Sequence, residues 1–278
     1  MSVSQKQNPS GIWNDFIPID HDEQVSHIAD TLACGAYSIV HKAEIRTKFL
    51  TGQFWEFSER AQAKLSGTIT ALQTSDKTKW GNSLENEILA IKNIGLILAQ
   101  DWPELLYSTA YQDITLSQYY QVIPISVQKK AFKFDVSDLV KITNAAQLTS
   151  ALQQDTTWTI IKTSSGEDHI VVRLNQFLGQ WHLGQYYDSY EIVVKDFQPS
   201  QPIVSEWALT LTPKLMTNSY LIQLNKKDGT KEYAIAAPAT KEDTLIDKCL
   251  SAGLPLATLN NGQNVDWSNV QPRFIINE

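Results

Sequence analysis

Residues 31–46 place a cysteine at the start of an amphipathic helix, and no other stretch constrains the fold of this chain as strongly. Counting from Cys34, apolar residues recur at spacings that line one side of a helix, and we expect the polar residues between them to face water. The first turn of a helix has unpaired N–H groups and the positive end of the helix dipole, which together stabilise a thiolate. Cys34 is therefore a candidate nucleophile, with a small buried side chain as the alternative. The apolar positions are Ile39, Val40, Ala43 and Ile45, and the polar ones are His41, Lys42, Glu44 and Arg46.

The composition excludes several classes of protein. The 278 residues are 42% hydrophobic and 19% charged, which is typical of a globular chain with one enlarged domain or two. The net charge of −7 and the lack of a basic patch argue against nucleic-acid binding. No run approaches the roughly 20 apolar residues of a membrane-spanning helix, and residues 1–10 lack the apolar core of a signal peptide. We expect a cytoplasmic protein, or one exported without a cleavable signal peptide, such as a bacterial effector.

The cysteines and histidines do not indicate a metal or a disulfide. Cys34 and Cys249 lie 215 positions apart in dissimilar contexts, and no Cys/His cluster has the spacing of zinc ligands. We therefore expect no cofactor and no metal. Cys249, with apolar neighbours in a predicted helix over 240–252, is expected to be buried and inert.

The chain divides into a helical half followed by a β-rich half. Residues 1–12 read as a flexible tail, and helical spacing returns over 54–72 and 84–101 after the cysteine helix, with Ser83 as the cap of the second segment. Short turns at 164–167 and 175–179 imply antiparallel neighbours. We predict an α+β fold with one domain over 13–197 and a smaller α/β accessory domain over 198–278. Apart from a helix at 145–153, this half is predicted to contain strands, at 121–126, 131–134, 158–163, 169–174, 180–187, 207–211, 220–224 and 232–236.

Cysteine catalysis needs a base and a third polar group that orients the base. His169 is the best placed histidine, because it begins a strand after a Ser-Gly turn, and Asp188 closes the neighbouring strand. If Leu174 pairs with Gln180 across the turn, His169 lies opposite about Gln185 and within a few residues of Asp188. The other histidines are less well placed: His21 and His27 are too close to Cys34 in sequence, His41 lies two helical turns away, and His182 is in mid-strand.

The segment Ala33-Cys34-Gly35-Ala36-Tyr37-Ser38 resembles the nucleophile box of papain-like cysteine peptidases, especially the branch with bacterial leader peptidases and ubiquitin-hydrolase relatives. The later part of the chain is similar to that family as well. The order Cys, His, Asp and the separation of 135 positions from Cys34 to His169 fit the papain pattern. The similar segments are a helix at 147–152, strands at 158–161 and 168–172, a Gly-x-Trp turn at 179–181, and Asp188-Ser189.

The resemblance implies a papain-like core, with a helical half and an antiparallel sheet half, and a thiol hydrolase that acts on peptide or isopeptide amide bonds. Cys34 would form a thioester, His169 would act as base and then as acid, and Asp188 would orient the imidazole. The partner would be a protein or peptide held in a cleft between the halves; the oligomeric state is left open. Gly35, Tyr37 and Trp181 are the candidates for lining that cleft.

One position departs from the family pattern. These enzymes place a Gln six residues before the cysteine to complete the oxyanion hole, whereas this chain has Ile28. The nearest polar candidates are Gln24, His27 and Asp30, and the Cys34 N–H could supply one donor. Two other functions stay open: a glutamine deamidase or acyltransferase of the same fold, as in some bacterial toxins, and a catalytically inactive protein-binding module. The second would use exposed aromatic residues among Trp181, Tyr186, Tyr187 and Tyr190.

Overall fold

The computed structural model describes residues 6–18, 31–51, 54–102, 115–190 and 193–213, and three further strands. Helices dominate the first half and antiparallel strands the second, which confirms the predicted α+β class. In the described residues no helix is long and apolar enough to cross a membrane. The helices are α1 (Cys34–Thr51), α2 (Glu59–Ser66), α3 (Leu84–Asn93), α4 (Leu116–Tyr119), α5 (Ile125–Gln128) and α6 (Ala145–Gln154). The strands are β1 (Phe134–Val136), β2 (Val140–Ile142), β3 (Thr157–Lys162), β4 (Asp168–Arg173), β5 (Gln185–Asp188), β6 (Val193–Asp196), β7 (Ile203–Ala208), β8 (Leu211–Pro213), β9 (Tyr220–Asn225), β10 (Lys231–Ala236) and β11 (Pro272–Asn277).

The main sheet has six strands in the order β2-β7-β3-β4-β5-β6, and all its pairs are antiparallel. Strand β7 lies between β2 and β3, and β8 pairs with β1. These pairings place residues 203–213 inside the core, whereas the sequence assigned them to an accessory domain from residue 198. Strand β7 is hydrogen-bonded along both edges to strands of the main sheet, so we expect any domain boundary to fall after β8.

Beyond β8, a second sheet has the order β10-β9-β11. Strands β9 and β10 pair antiparallel, and β11 runs parallel to β9. The predicted helix over 240–252 and Cys249 lie outside the described residues. The accessory domain itself stays a prediction.

Helix α1 begins at Cys34 as predicted, but its polar side does not face water. His41, Lys42, Glu44 and Arg46 are each at most 2% exposed, because α1 packs against α2 and α3 on one side and against β4 and β8 on the other. Such burial requires partners for the polar groups. These come from other elements: Glu59 Oε1 lies 3.2 Å from His41 Nε2, Asp155 Oδ2 lies 3.0 Å from Lys42 Nζ, and the Phe57 N–H donates to Glu44 Oε1 (2.8 Å).

The N-terminal segment is packed against the core from residue 6 onward, in contrast to the predicted flexible tail. The Asn8 N–H donates to the Gln153 carbonyl (2.9 Å), and the Trp13 indole, which is fully buried, donates to the Leu152 carbonyl (2.7 Å). The Trp13 backbone N–H donates to the Leu174 carbonyl (3.0 Å). This segment therefore ties α6 to the end of β4. Residues 1–5 lie outside the described residues.

Several local predictions were correct and others need revision. The predicted helix at 145–153 and strands at 158–163 and 169–174 are confirmed as α6, β3 and β4, and Ser83 caps α3 as expected. The helix predicted over 54–72 is shorter, because Ser58 caps its start and Gly67, with a φ of 80°, ends it. The strand predicted at 121–126 is wrong, since α5 begins at Ile125 directly after Pro124.

Candidate active site

The first turn of α1 lies against the start of β4. Ser38, one turn after Cys34, donates from Oγ to the carbonyl of Ile170 (2.8 Å), and this hydrogen bond is buried. Ile170 directly follows His169, so the contact aligns the helix that carries the thiol with the strand that carries the imidazole. Cys34 is a partly exposed free cysteine, and its side chain is near enough to His169 to raise the pKa of the imidazole.

His169 also contacts Asp188 across the hairpin. Strands β4 and β5 pair so that Val172 lies opposite Tyr187, which brings the end of β5 beside the start of β4. His169 Nε2 lies 2.8 Å from Asp188 Oδ1, and the two side chains are only 11% and 8% exposed. With Nε2 directed at the carboxylate, Nδ1 is the ring nitrogen left for Cys34. The three residues predicted from the sequence are therefore brought together in one row, in the order Cys34, His169 and Asp188.

Local charges decide the protonation of this row. Burial lowers the pKa of His169, but the hydrogen bonds and charges of Asp188 and Cys34 outweigh it and raise that pKa to about 10. Burial raises the pKa of Asp188, while the hydrogen bond and charge of His169, the Tyr190 N–H and the charge of Lys195 lower it to about 2. At neutral pH the imidazole is protonated beside an ionised carboxylate.

Two further residues hold Asp188, and the sequence identified neither of them in this role. The Tyr190 N–H donates to Oδ1 (3.0 Å), and Lys195 Nζ on β6 donates to Oδ2 (3.2 Å). The Tyr190 ring meets the His169 ring edge to face, with the centroids 6.1 Å apart, and is 43% exposed. The only signal for Lys195 would have been its register in β6, which depends on pairing between strands.

The residues predicted to line a cleft are placed differently from that expectation. Tyr37 is fully buried in a cluster with Ala33, Ala36, Ala63, Tyr119 and Tyr120, so it does not line a cleft. Gly35 is buried as well, and a Cβ on it would lie 3.2 Å from Glu87 Oε1. Trp181 lies in the β4–β5 loop, where its carbonyl accepts a hydrogen bond from Arg173 at the end of β4 away from His169 (2.8 Å).

The remaining predicted positions are the oxyanion candidates, the aromatic candidates for a binding surface and the other histidines. The oxyanion candidates Gln24, His27 and Asp30, together with Ile28 and His21, lie outside the described residues, so the oxyanion hole stays a prediction. Among the aromatic candidates for a binding surface, Tyr186 and Tyr187 are at most 5% exposed and belong to the core. His182 is exposed and His41 is buried, so neither takes part in the row.

A second group of titratable residues lies about two turns along α1 from the thiol. His41 and Glu44 on α1 and Glu59 on α2 are all buried, with one possible ligand atom from each within 4.8 Å of the others. Burial lowers the pKa of His41 to about 3, and burial with the charge of Glu56 raises the pKa of Glu59 to about 8. These are donor types that can hold a divalent cation. Sequence spacing did not reveal the group because its members lie on two helices.

Comparison with known proteins gives similarity to structures only. No protein-family model matches the chain, and no curated protein matches it either. Among solved structures, the cysteine protease CMS1MS2 of Carica candamarcensis, in complex with E-64, is similar over 72% of this chain and 96% of its own, with 12% identity and a TM-score of 0.45. The bromelain protease of Ananas comosus, in complex with the E64 inhibitor, is similar over 72% of this chain and 97% of its own, with 12% identity and a TM-score of 0.48. The clostridial cysteine protease Cwp84 is similar over 75% of this chain and 58% of its own, with 14% identity and a TM-score of 0.47.

Proposed function

We propose that this protein is a papain-like thiol hydrolase that acts on amide bonds of proteins or peptides. The observation that carries the proposal is the position of His169, which lies 2.8 Å from Asp188 Oδ1 and whose pKa is raised by the neighbouring Cys34 side chain. A thiol, an imidazole and a carboxylate in this order form the arrangement that cysteine nucleophiles need. The raised pKa of His169 supports the same assignment, because an imidazolium beside Cys34 stabilises a thiolate.

In the proposed reaction the Cys34 thiolate attacks the amide carbonyl. The C–N bond breaks as His169 Nδ1–H gives its proton to the leaving amine, and a thioester remains on Cys34. His169, now neutral, takes a proton from water; the resulting hydroxide releases the carboxylic acid and restores the thiolate and imidazolium. Asp188 holds Nε2 throughout, and the Cys34 N–H at the start of α1 serves as one oxyanion donor.

The finer parts of the function are proposals as well. The resemblance at residues 33–38 favours the branch of bacterial leader peptidases and ubiquitin-hydrolase relatives, and therefore a peptide or isopeptide bond as the substrate. A cytoplasmic location, or export without a cleavable signal, agrees with the composition.

Alkylation of Cys34 by iodoacetamide between pH 5 and 9 tests the thiolate–imidazolium pair. We expect rapid modification already at pH 6, read by peptide mass spectrometry, and a loss of about tenfold or more in His169→Ala. His182→Ala, which removes an exposed histidine away from the row, should leave the rate unchanged. Cys249 provides an internal control. The proposal fails if Cys34 reacts only with the profile of an ordinary thiol, near pH 8.5, with and without His169.

A peptide screen separates the two enzymatic outcomes. New termini in wild type that are absent in Cys34→Ala would establish hydrolysis, whereas ammonia released without chain cleavage would assign the same row to glutamine deamidation. Unchanged binding of a partner by Cys34→Ala, with no product of either kind, would instead favour the binding module.

A further inference from the structure

We propose that Lys195 is a positioning residue of this site, which holds Asp188 and sets the pH range in which Cys34 is reactive. The inference rests on the proposed function, because it concerns the same row of residues. Lys195 lies on β6, an edge strand of the main sheet, and takes no direct part in the proposed chemistry.

Asp188 is held through both of its carboxylate oxygens. Oδ1 accepts from His169 Nε2 at 2.8 Å and from the Tyr190 N–H at 3.0 Å, and Oδ2 accepts from Lys195 Nζ at 3.2 Å. The donors come from β4, from the chain after β5 and from β6. A carboxylate bonded on both oxygens from three directions cannot rotate about its Cβ–Cγ bond without losing a partner. Lys195 therefore fixes the plane in which Asp188 meets the imidazole.

The ion pair is sheltered from water. The Asp188 side chain is 8% exposed and that of Lys195 is 29% exposed. Charges at such a place are screened less than on the open surface, so their interaction is stronger than that of an exposed pair. The nearby pair of Lys162 and Asp168 provides the contrast: its distance is 2.7 Å, it adjoins His169 in sequence, and its side chains are 42% and 56% exposed.

Lys195 also balances the charges of the row. Two charged groups face Asp188: His169 from β4 and Lys195 from β6. The Tyr187 hydroxyl is acted on by three carboxylates, namely Asp188, Glu44 of α1 and Glu59 of α2. Cys34 faces His169 from α1. A thiolate, an imidazolium, a carboxylate and an ammonium sum to zero. Without the ammonium, the ionisation of Cys34 leaves the row with one net negative charge, so the thiolate is less favoured.

The experiment measures the rate of Cys34 alkylation by iodoacetamide against pH in the full chain. In Lys195→Met we expect the acidic limb of the profile to move to higher pH by about 0.5–1 unit, because a positive charge close to the row has been removed. Lys195→Arg keeps the charge and should restore the wild-type profile. Lys162→Met removes the same charge from an exposed pair and should leave the profile unchanged.

The outcomes distinguish this inference from the proposed function. If wild type reacts rapidly at pH 6 but Lys195→Met gives the same profile, the role of Lys195 is overturned and the proposed function stands. An equal shift in Lys162→Met would also overturn it, since a general change of surface charge would then suffice. If wild type itself lacks reactivity at low pH, the proposed function fails. Should Lys195→Met not fold, as judged by circular dichroism, Lys195→Gln removes the same charge while keeping a polar side chain and carries the test.

Discussion

His169 and Asp188 couple the stability of the fold to pH in opposite directions. The pKa of His169 is raised from 6.5 to about 10, so its contribution is complete below pH 6.5 and is lost as the pH rises to 10. The pKa of Asp188 is lowered from 3.8 to about 2, so its contribution is complete above pH 4 and is lost as the pH falls to 2. The row therefore stabilises the protein most between about pH 4 and 6.5.

Asp188→Asn should remove most of this dependence on the alkaline side. The amide keeps the shape of the side chain but not its charge, so the pKa of His169 falls. Wild type loses unfolding free energy as the pH rises from 6.5 to 10, and in Asp188→Asn this loss should be smaller by about 2–4 kcal/mol. Urea unfolding at a series of pH values measures it. Asp168→Asn, at the exposed neighbouring position, is the matched control. An equal pH dependence in wild type and Asp188→Asn would contradict the assignment.

At the scale of elements, the position of α1 against β4 depends on one buried hydrogen bond near the thiol. Ser38 Oγ donates to the Ile170 carbonyl, and Ile170 adjoins His169. Because an α-helix has about 3.6 residues per turn, Ser38 lies one turn beyond Cys34 on the same side of the helix. Helix and strand meet here through a polar contact rather than through packing alone. The contact therefore fixes the direction of the thiol as well as the stability of the interface.

Ser38→Ala should weaken both properties. We expect a loss of about 1–2 kcal/mol in unfolding free energy, because the Ile170 carbonyl stays buried without this donor, and a slower alkylation of Cys34 at pH 6. Ser83→Ala removes the cap of α3 and should cost a similar free energy without changing the alkylation rate. If the two variants alter alkylation equally, the bond of Ser38 has no special role in aligning the thiol.

Hairpin geometry at this scale also explains a failed prediction. The sequence suggested that Leu174 pairs with Gln180, but the Leu174 N–H donates to the Gln185 carbonyl (2.8 Å), because residues 175–184 form one longer loop. Arg173 holds that loop by donating to the carbonyls of Trp181 and Leu183. The longer loop shortens β5 and moves Asp188 from a few residues beyond His169 to direct contact with it.

At the scale of the whole molecule, the core is completed by a strand that comes late in the chain. Glu206 on β7 is fully buried and accepts hydrogen bonds from Thr157, Thr159 and Arg173. Without β7, the strand β3 loses one edge and Arg173 loses its carboxylate partner. The helical and β-rich halves thus depend on residues beyond 197, where the sequence predicted the first domain to end.

Truncation tests this dependence. A chain that ends at residue 197 should lack a cooperative unfolding transition, because β3 and β2 lose their shared neighbour and Arg173 is left as a buried charge. A chain that ends at residue 213 keeps β7 and β8 and should retain the transition, as measured by circular dichroism during heating. Folding of the shorter chain alone would restore a domain boundary near residue 197.

Local signals in the sequence were sufficient for the helix that begins at Cys34 and for α6, β3 and β4. Each of these depends on residues a few positions apart, through helical or alternating periodicity and through caps such as Ser83. Only the tertiary structure decided which faces are covered and which strands are neighbours. The polar side of α1 is buried because α2, α3, β4 and β8 surround it, and Lys195 reaches Asp188 because β6 pairs with β5. Such contacts join residues that are distant in the chain, and periodicity carries no information about them.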